Sequence, residues 1–433
     1  MPRHLTPTQA AEQVHSRDRI AVPLGPGQPP AFLRALGERD DFEALHVFTG
    51  LLSDLFPLFQ RRGVQLLSGF YGPAERILVQ QGHDVRFVPA DFRRFAQVLE
   101  RLQPRVMATA VAERDPGGPL SLSLHAGATI EALRACGRDP DRLLIAEVNP
   151  NLPWTNGLRP DHPHVLERDE VDILIHAESK VLELPAAAPS ELQQRIAAHA
   201  RRFIPRSATL QTGIGGIAGA IVQTLAAERG GEYGIHSEMF SDALMELHGS
   251  GQVHNRKGLF DGHSVATFAA GSRRLYDWLH GNEEVAFLPV DVVNDPSLIA
   301  RNRDMVSING ALAIDLYGQV GADTLLGLQH SGIGGHEDFS AAAGLGPDDR
   351  SLTCLPSTSD VAGEPVSRMV GALGPEMCVT TPRHQIDVVV TEHGAADLRA
   401  LDVDARARAL IEIAQPDFRD ELREHWQRTR RSR

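Results

Sequence analysis

Ser207-Ala-Thr-Leu-Gln-Thr-Gly-Ile-Gly-Gly-Ile-Ala-Gly-Ala220 reads as a β-branched and apolar run, a glycine turn, then an apolar helix opening near Ile217. A strand, turn and helix in that order form the repeating unit of an open α/β sheet. The turn holds Gly213, Gly215 and Gly216, where absent side chains let backbone N–H groups approach a ligand at the positive end of the following helix. An anionic ligand fits such a turn. Gly213-x-Gly215-x-x-Ala218 also matches the dinucleotide-binding fingerprint, which wants an acidic residue about 20 positions further on. Glu232 and Glu238 both stand near that distance.

Just downstream, Gly234-Ile-His-Ser-Glu-Met-Phe-Ser-Asp242 sets one carboxylate, Glu238, among small and polar residues, which makes it a candidate nucleophile. A lone loop glutamate is more often a solvated carboxylate, so its weight depends on two loops further along the chain. Ser331-Gly-Ile-Gly-Gly-His-Glu-Asp-Phe339 is a second glycine loop, the raw material of an oxyanion hole or simply a tight turn between strand and helix. Asp291-Val-Val-Asn-Asp-Pro296 follows an expected strand, Val285 to Pro289. There Asn294 either donates its amide to a developing oxyanion or starts a turn.

His236, His330, His336, His384 and His393 lie near these loops, in spacings that match no HExxH or paired-ligand pattern; exposed or core-satisfied histidine is the expectation, and no metal. A Gly-x-Ser-x-Gly elbow is absent. The carboxylate remains.

With 433 residues the chain is long for one core, so two domains are expected. Hydrophobic content of 42% and charged content of 23% are those of a soluble globular protein, and 39 Gly with 28 Pro suit many short α/β loops. A formal charge of −13 argues against nucleic acid or an anionic membrane as partner and leaves room for a small anion held locally. Cys136, Cys354 and Cys378 are far apart, indicating neither a disulfide framework nor a zinc site. With no signal-peptide h-region and no run of 18 apolar residues, a cytoplasmic protein is expected.

Strand signals recur at 19–24, 45–48, 64–67, 85–88, 106–112, 143–148 and 171–175, with helical patterns between them, notably 92–102 and 128–136. The alternation implies parallel strands joined by crossover helices. Leu182-Glu-Leu-Pro-Ala-Ala-Ala-Pro189 breaks the pattern before a helix over 190–202 capped by Ser190. This places an N-terminal α/β domain at 1–188 and a second, carrying Glu238, at 189–433. The second is expected to continue through strands at 265–268, 285–289, 305–309, 352–355, 378–381 and 386–391, and to end in helices over 401–413 and 417–427.

Taken together, these stretches resemble the acetyl-CoA hydrolase/transferase family, whose members include 4-hydroxybutyrate, butyrate, succinyl-CoA and acetate CoA-transferases. Further matching stretches are Ala146-Glu-Val-Asn-Pro-Asn-Leu-Pro153, Ala270-Gly-Ser-Arg-Arg-Leu-Tyr-Asp277, Asn294-Asp-Pro-Ser-Leu-Ile-Ala-Arg-Asn302, Ser307-Ile-Asn-Gly-Ala311, Val389-Val-Thr-Glu-His-Gly394 and Ile413-Ala-Gln-Pro-Asp-Phe-Arg419. The resemblance covers nearly the whole chain and is densest after Thr209. It implies two open, mostly parallel α/β domains of CoA-transferase type, with Glu238 becoming covalently attached to CoA. Asn294 and the backbone of Gly335 are then the oxyanion donors. Gly213, Ile214, Gly215 and Gly216, with Asn309, Gly332, Gly334 and His336, fall at the acyl-CoA site. Two positions depart from the family, which usually has proline where Ala218 stands and glutamine where His336 stands. A histidine at that place could activate water near neutral pH.

The expected activity is transfer of CoA from an acyl-CoA to a short carboxylate such as acetate, with acyl-CoA hydrolysis through the same glutamate as the rival. A Rossmann-type nucleotide-binding protein is the alternative from another class; it accounts for the turn at 213 but not for Glu238, Asn294 and the second loop together. Acyl-CoA enters as substrate, no permanently bound cofactor is expected, and a homodimer is the expected assembly.

Overall fold

Two strands are mostly apolar, Val106–Glu113 interrupted by Thr109 and Leu143–Val148 by Glu147, and both are buried almost end to end. Strands buried on both faces belong in the middle of a parallel sheet. In the computed structural model, which describes residues 1–127, 129–184, 187–343, 346–361 and 363–431, they are neighbours in such a sheet. The chain divides into two compact units, Met1–Pro185 with Val265–Val293, and Ala186–Ser264 with Asn294–Arg433.

In the first unit the strands lie in the order Arg3–His4, Ile173–His176, Leu143–Val148, Val106–Glu113, Arg19–Ala21, Leu45–Thr49, Val64–Ser68, Val85–Phe87, each parallel to the next. Helices Pro30–Gly37 and Pro73–Gln80 cross between strands, their buried Phe32, Leu33, Leu36 and Leu78 packing into one core with Ile20, Val47 and Leu66. The helix expected over 92–102 divides into a 3-10 turn, Phe92–Arg94, and a helix, Phe95–Leu102. The next helix runs Ile130–Gly137; its expected first residue, Ala128, lies outside the described residues.

The second unit carries six strands in the order Gly234–Ile235, Thr209–Thr212, Met305–Gly310, Arg350–Cys354, Val388–Thr391, Gly394–Asp397, all parallel except the last pair, which form a hairpin. Thr209–Thr212 comes first in the chain and is flanked by the second and the third. The strand order reverses there, and the crevice at the carboxyl end of such a strand is where open α/β sheets take ligands. The glycine turn at 213 sits at that point. The helix it opens, Gly216–Ala227, buries Ala218, Ala220, Ile221, Val222 and Leu225. Glu191–Ala200 packs beside it, its N-terminus closed by a capping box in which Ser190 and Gln193 satisfy each other's backbone N–H.

Three expectations are corrected. The second domain does not run unbroken over 189–433, because Val265–Val293 belongs with the first unit: Ala126 N donates to Thr267 O at 2.8 Å, Ala269 N to Leu124 O at 2.8 Å, and Phe287 N to Asn156 O at 2.8 Å. Residues 378–381 form no strand beyond one bridge, Thr381 to Val320. Backbone bonds there converge on Val320, and side chains take the rest, with Cys378 N donating to Thr324 Oγ1 at 2.7 Å and Thr380 Oγ1 accepting from Ala322 N at 2.8 Å. The sequence reading also gave no helix after Glu238, where Asp242–Gly249 forms one with Ala243, Leu244, Met245 and Leu247 buried. Among the described residues no helix is long and apolar enough to cross a membrane.

Burial divides the strand–turn–helix unit into a structural part and an exposed part. Leu225 is fully buried on the helix, whereas Ile214 in the turn is 53% exposed. Leu225→Ala is therefore expected to lower unfolding free energy in urea by about 2–5 kcal/mol. Ile214→Ser should stay within about 0.5 kcal/mol of the parent. Equal losses from the two would mean that the turn is packed rather than presented.

Candidate active site

The site is built on the ends of the second unit's strands. Thr209–Thr212 pairs with Gly234–Ile235, and His236 N extends the ladder by donating to Leu210 O at 3.1 Å. Ser237 is fully buried, and its Oγ accepts from Thr212 N at 3.3 Å and donates to Met239 O at 2.9 Å. The residue before the first glycine turn is thus tied to the residues on either side of Glu238. Those anchors hold the bend that carries Glu238, between Gly234–Ile235 and Met239–Phe240.

What it meets is Asn294. Asn294 Nδ2 donates to Glu238 Oε2 at 2.7 Å and to Asp338 Oδ2 at 3.0 Å, so one amide nitrogen serves two carboxylates. Asn294 and Asp338 are fully buried. Gly335 closes the third side: a Cβ placed on it would fall on top of Glu238 Oε2 and Asn294 Nδ2, closer than van der Waals contact allows. Only glycine permits that approach. Gly334 before it has φ +57°, a conformation glycine adopts without strain, and the helix His336–Ala342 begins immediately after.

Glu238 keeps some exposure as a residue while its carboxyl group is taken out of water. Burial pushes that carboxyl up to about 8; the Asn294 hydrogen bond pulls it back and the charge of Asp338 adds to the rise. A desolvated carboxylate facing an amide donor and a bare backbone has the chemistry needed to serve as a nucleophile beside an oxyanion site.

The sequence-derived residues fall into two groups. Glu238, Asn294 and Gly335 come together as described, with Gly332 and Gly334 leading the chain into Gly335. At the strand ends, Gly213 N donates to Ile308 O at 2.9 Å, and a Cβ on Gly213 would lie 3.3 Å from Asn309 Oδ1. Asn309 is held in a buried amide cluster, donating to Ser307 Oγ at 2.8 Å and accepting from Gln211 Nε2 at 3.2 Å. Ile214, Gly215 and Gly216 stand exposed beyond it, at the N-terminus of a 12-residue helix. Ser237 and Thr212 are the covalent neighbours through which the two groups are joined.

His336 differs from the sequence expectation of a residue poised near neutral pH. Burial pushes its imidazole down to about 4, with the charge of Asp323 opposing, and its Nε2 has no hydrogen-bond partner among the described residues. It is neutral at pH 7 and too weakly basic to strip a proton from water efficiently. The dinucleotide alternative gains nothing, since Glu232 is exposed at the surface and Glu238 is engaged by Asn294.

Sequence reasoning missed Asp338 and the pair His236 and Asn302. Asp338 lies within the quoted second loop, and its signal was a carboxylate three residues past a glycine against which no side chain fits. His236 Nδ1 lies 3.0 Å from Asn302 Nδ2, and both residues are buried; both stood in quoted stretches with no role attached.

Residues 271–426 match the model of the acetyl-CoA hydrolase/transferase C-terminal domain. The chain is 33% identical to a succinyl-CoA:cyclohexane-1-carboxylate CoA transferase of Geobacter metallireducens over 98% of its own length and 95% of that protein's. It is 32% identical to a 4-hydroxybutyrate coenzyme A transferase of Clostridium kluyveri, over 96% of each chain. The crystal structure of RipA from Yersinia pestis superposes with a TM-score of 0.90 at 30% identity, covering 99% of this chain and 98% of that one. Relatives include acetyl-CoA hydrolases as well as CoA-transferases. The chain belongs to the acetyl-CoA hydrolase/transferase family of enzymes that act on acyl-CoA thioesters.

Proposed function

We propose that the protein is a CoA-transferase that moves CoA from an acyl-CoA to a short-chain carboxylate such as acetate through a covalent Glu238–CoA thioester. The observation that carries this reading is the Glu238 carboxyl, desolvated and held 2.7 Å from Asn294 Nδ2 against the backbone of Gly335. A Glu238 oxygen attacks the thioester carbonyl carbon, the C–S bond breaks, and CoA leaves as thiolate from a mixed anhydride. The thiolate then attacks the glutamyl carbonyl carbon; its C–O bond breaks, the donor acid leaves as carboxylate, and Glu238 is left as the CoA thioester. An acceptor carboxylate runs the same steps backwards.

Each attack places negative charge on a carbonyl oxygen, for which the Asn294 amide and the Gly335 N–H are the donors. The exposed turn at Ile214, Gly215 and Gly216, with Asn309 behind it, receives the CoA moiety, and binding energy gained there positions the thioester at Glu238. Hydrolysis would need water activated at the same intermediate, and a weakly basic His336 supplies little help.

Incubation with acetyl-, butyryl- or succinyl-CoA and no acceptor is expected to leave the protein heavier by one CoA at Glu238, detected by intact mass spectrometry and converted to the alcohol by borohydride. Free CoA should accumulate only slowly, and acetate or another short carboxylate, when added, should discharge the adduct as the acceptor's acyl-CoA rather than as free CoA. Adduct at another residue would reject the nucleophile; rapid release indifferent to every carboxylate would favour hydrolysis.

Asn294→Ala should retain the fold and slow adduct formation on the order of 100- to 1000-fold. Gly335→Ala forces the Glu238 carboxyl out of place and should cost on the order of 100-fold or more. A Gly335→Ala enzyme as fast as the parent would remove that backbone from the site.

The pH profile follows from the raised Glu238 carboxyl. Its ionised form attacks, so kcat/KM should climb with pH and level off above about 8. Asp338 is the charged group that raises it from the facing helix, so Asp338→Asn should move the midpoint to lower pH. A profile already level well below that region, or a midpoint unmoved by Asp338→Asn, would contradict the electrostatic account.

A further inference from the structure

The three groups of the proposed site sit on three segments: Glu238 on the stretch after Gly234–Ile235, Asn294 at the start of 294–302, and Gly335 before the helix His336–Ala342. Behind them one side chain reaches all three. His236 is fully buried, two residues before Glu238, and its backbone is pinned by the bond to Leu210 O. Its Nδ1 lies 3.0 Å from Asn302 Nδ2, and that amide also donates to Ile299 O at 2.9 Å. An amide nitrogen only donates, so Nδ1 accepts and the imidazole proton sits on Nε2. On its other side the ring meets Phe339 edge-on, with centroids 6.2 Å apart at 71°, one turn into the helix that follows Gly335. Phe260 lies against it at 6.4 Å.

From this geometry we infer that His236 is a positioning residue, which touches no substrate and fixes the register of the Glu238, Asn294 and Gly335 segments through its bond to Asn302 and its packing on Phe339. The inference rests on Glu238 being the nucleophile. An apolar ring of similar size would fill the same space and keep the Phe339 contact. It would leave the Asn302 amide without the acceptor that fixes the far end of 294–302. The Asn302 carbonyl oxygen is already buried without a hydrogen-bond partner among the described residues, so Nδ2 makes the only side-chain bonds holding that amide. A purely structural histidine would affect stability alone, whereas a positioning one affects the reacting geometry, where a misplacement of about 1 Å costs on the order of 100-fold.

The test uses the full-length enzyme and single-turnover formation of the Glu238–CoA adduct from acetyl-, butyryl- and succinyl-CoA. His236→Phe should slow adduct formation on the order of 100-fold while KM for acyl-CoA changes little. His236→Asn, whose Oδ1 takes the place of Nδ1 as acceptor, should recover most of that rate. Asn302→Ala should match His236→Phe, and the double variant should be no slower than either alone, because both remove the same bond. Adduct formation at the parental rate in His236→Phe, or single losses that multiply in the double variant, would overturn the inference. If His236→Phe does not fold, Asn302→Ala decides alone, and a parental rate there overturns it equally. Failure of the parent to form any Glu238 adduct rejects the nucleophile and this inference with it; a parent that forms the adduct beside variants that form it equally fast rejects only the positioning role.

Discussion

An amide nitrogen has two hydrogens, and at Asn294 two carboxylates claim them. The amide is therefore held in one plane with its nitrogen toward Glu238, before any substrate arrives. Such preorganisation separates an oxyanion site from a loop that happens to contain asparagine, since no reorientation is needed as charge develops. The burial that keeps the site dry has an electrostatic cost, which the Asn294 bond offsets in part. With the carboxyl pushed up to about 8, roughly one molecule in ten carries ionised Glu238 at pH 7, equivalent to about 1.4 kcal/mol. One well-aimed oxyanion donor is worth about 2.7–4 kcal/mol, so the arrangement gains more than it loses.

Holding that geometry requires a second layer that carries no chemistry. Ser237 Oγ ties Thr212 to the residues on either side of Glu238, His236 meets Asn302 and Phe339, and Gly335 supplies close approach by lacking a side chain. These are short-range contacts between segments far apart in the chain. Each is satisfied only when the parallel strands Thr209–Thr212 and Met305–Gly310 are in register, with Thr209 beside Met305 and Thr212 beside Ile308. The precision of the site is thus a consequence of sheet register, which the buried faces of the strands enforce.

What could be read from the sequence was local. The glycine turn at 213, the apolar helix after it and the carboxylate at 238 announce themselves by residue type and spacing, as do Ser190 and Gln193 closing the helix Glu191–Ala200. What could not be read was set by distant partners. Val265–Val293 has the apolar look of any strand-bearing stretch, and nothing local says that Thr267 will receive Ala126 and Gly127. Residues 378–381 are β-branched enough to suggest a strand, yet their backbone bonds converge on Val320 while the Thr324 and Thr380 side chains take others. Asp338 was visible as an acid near glycines, but it is joined to Glu238 through Asn294, 44 and 56 residues away from them respectively. His236 was expected to be core-satisfied or exposed; it is buried with a partner, and its neighbours are what give the position meaning.

The same charges bear on why an enzyme of this design would favour carboxylates over water. In the resting site Asp338, together with Glu238 in its ionised, attacking form, makes a negative surround unfavourable for a second carboxylate. On the proposed mechanism, forming the glutamyl thioester removes one of those charges and leaves the Asn294 hydrogen formerly bound to Glu238 available to an incoming oxyanion. The acceptor carboxylate is thereby admitted after the intermediate exists rather than before it. Water carries no charge and gains nothing from that change, so electrostatics favours carboxylate entry in the order a double displacement needs. What then limits hydrolysis is the supply of a base, and the His336 imidazole, held down to about 4 by burial, is a poor one. Histidine at that position therefore adds little to the proton chemistry available there.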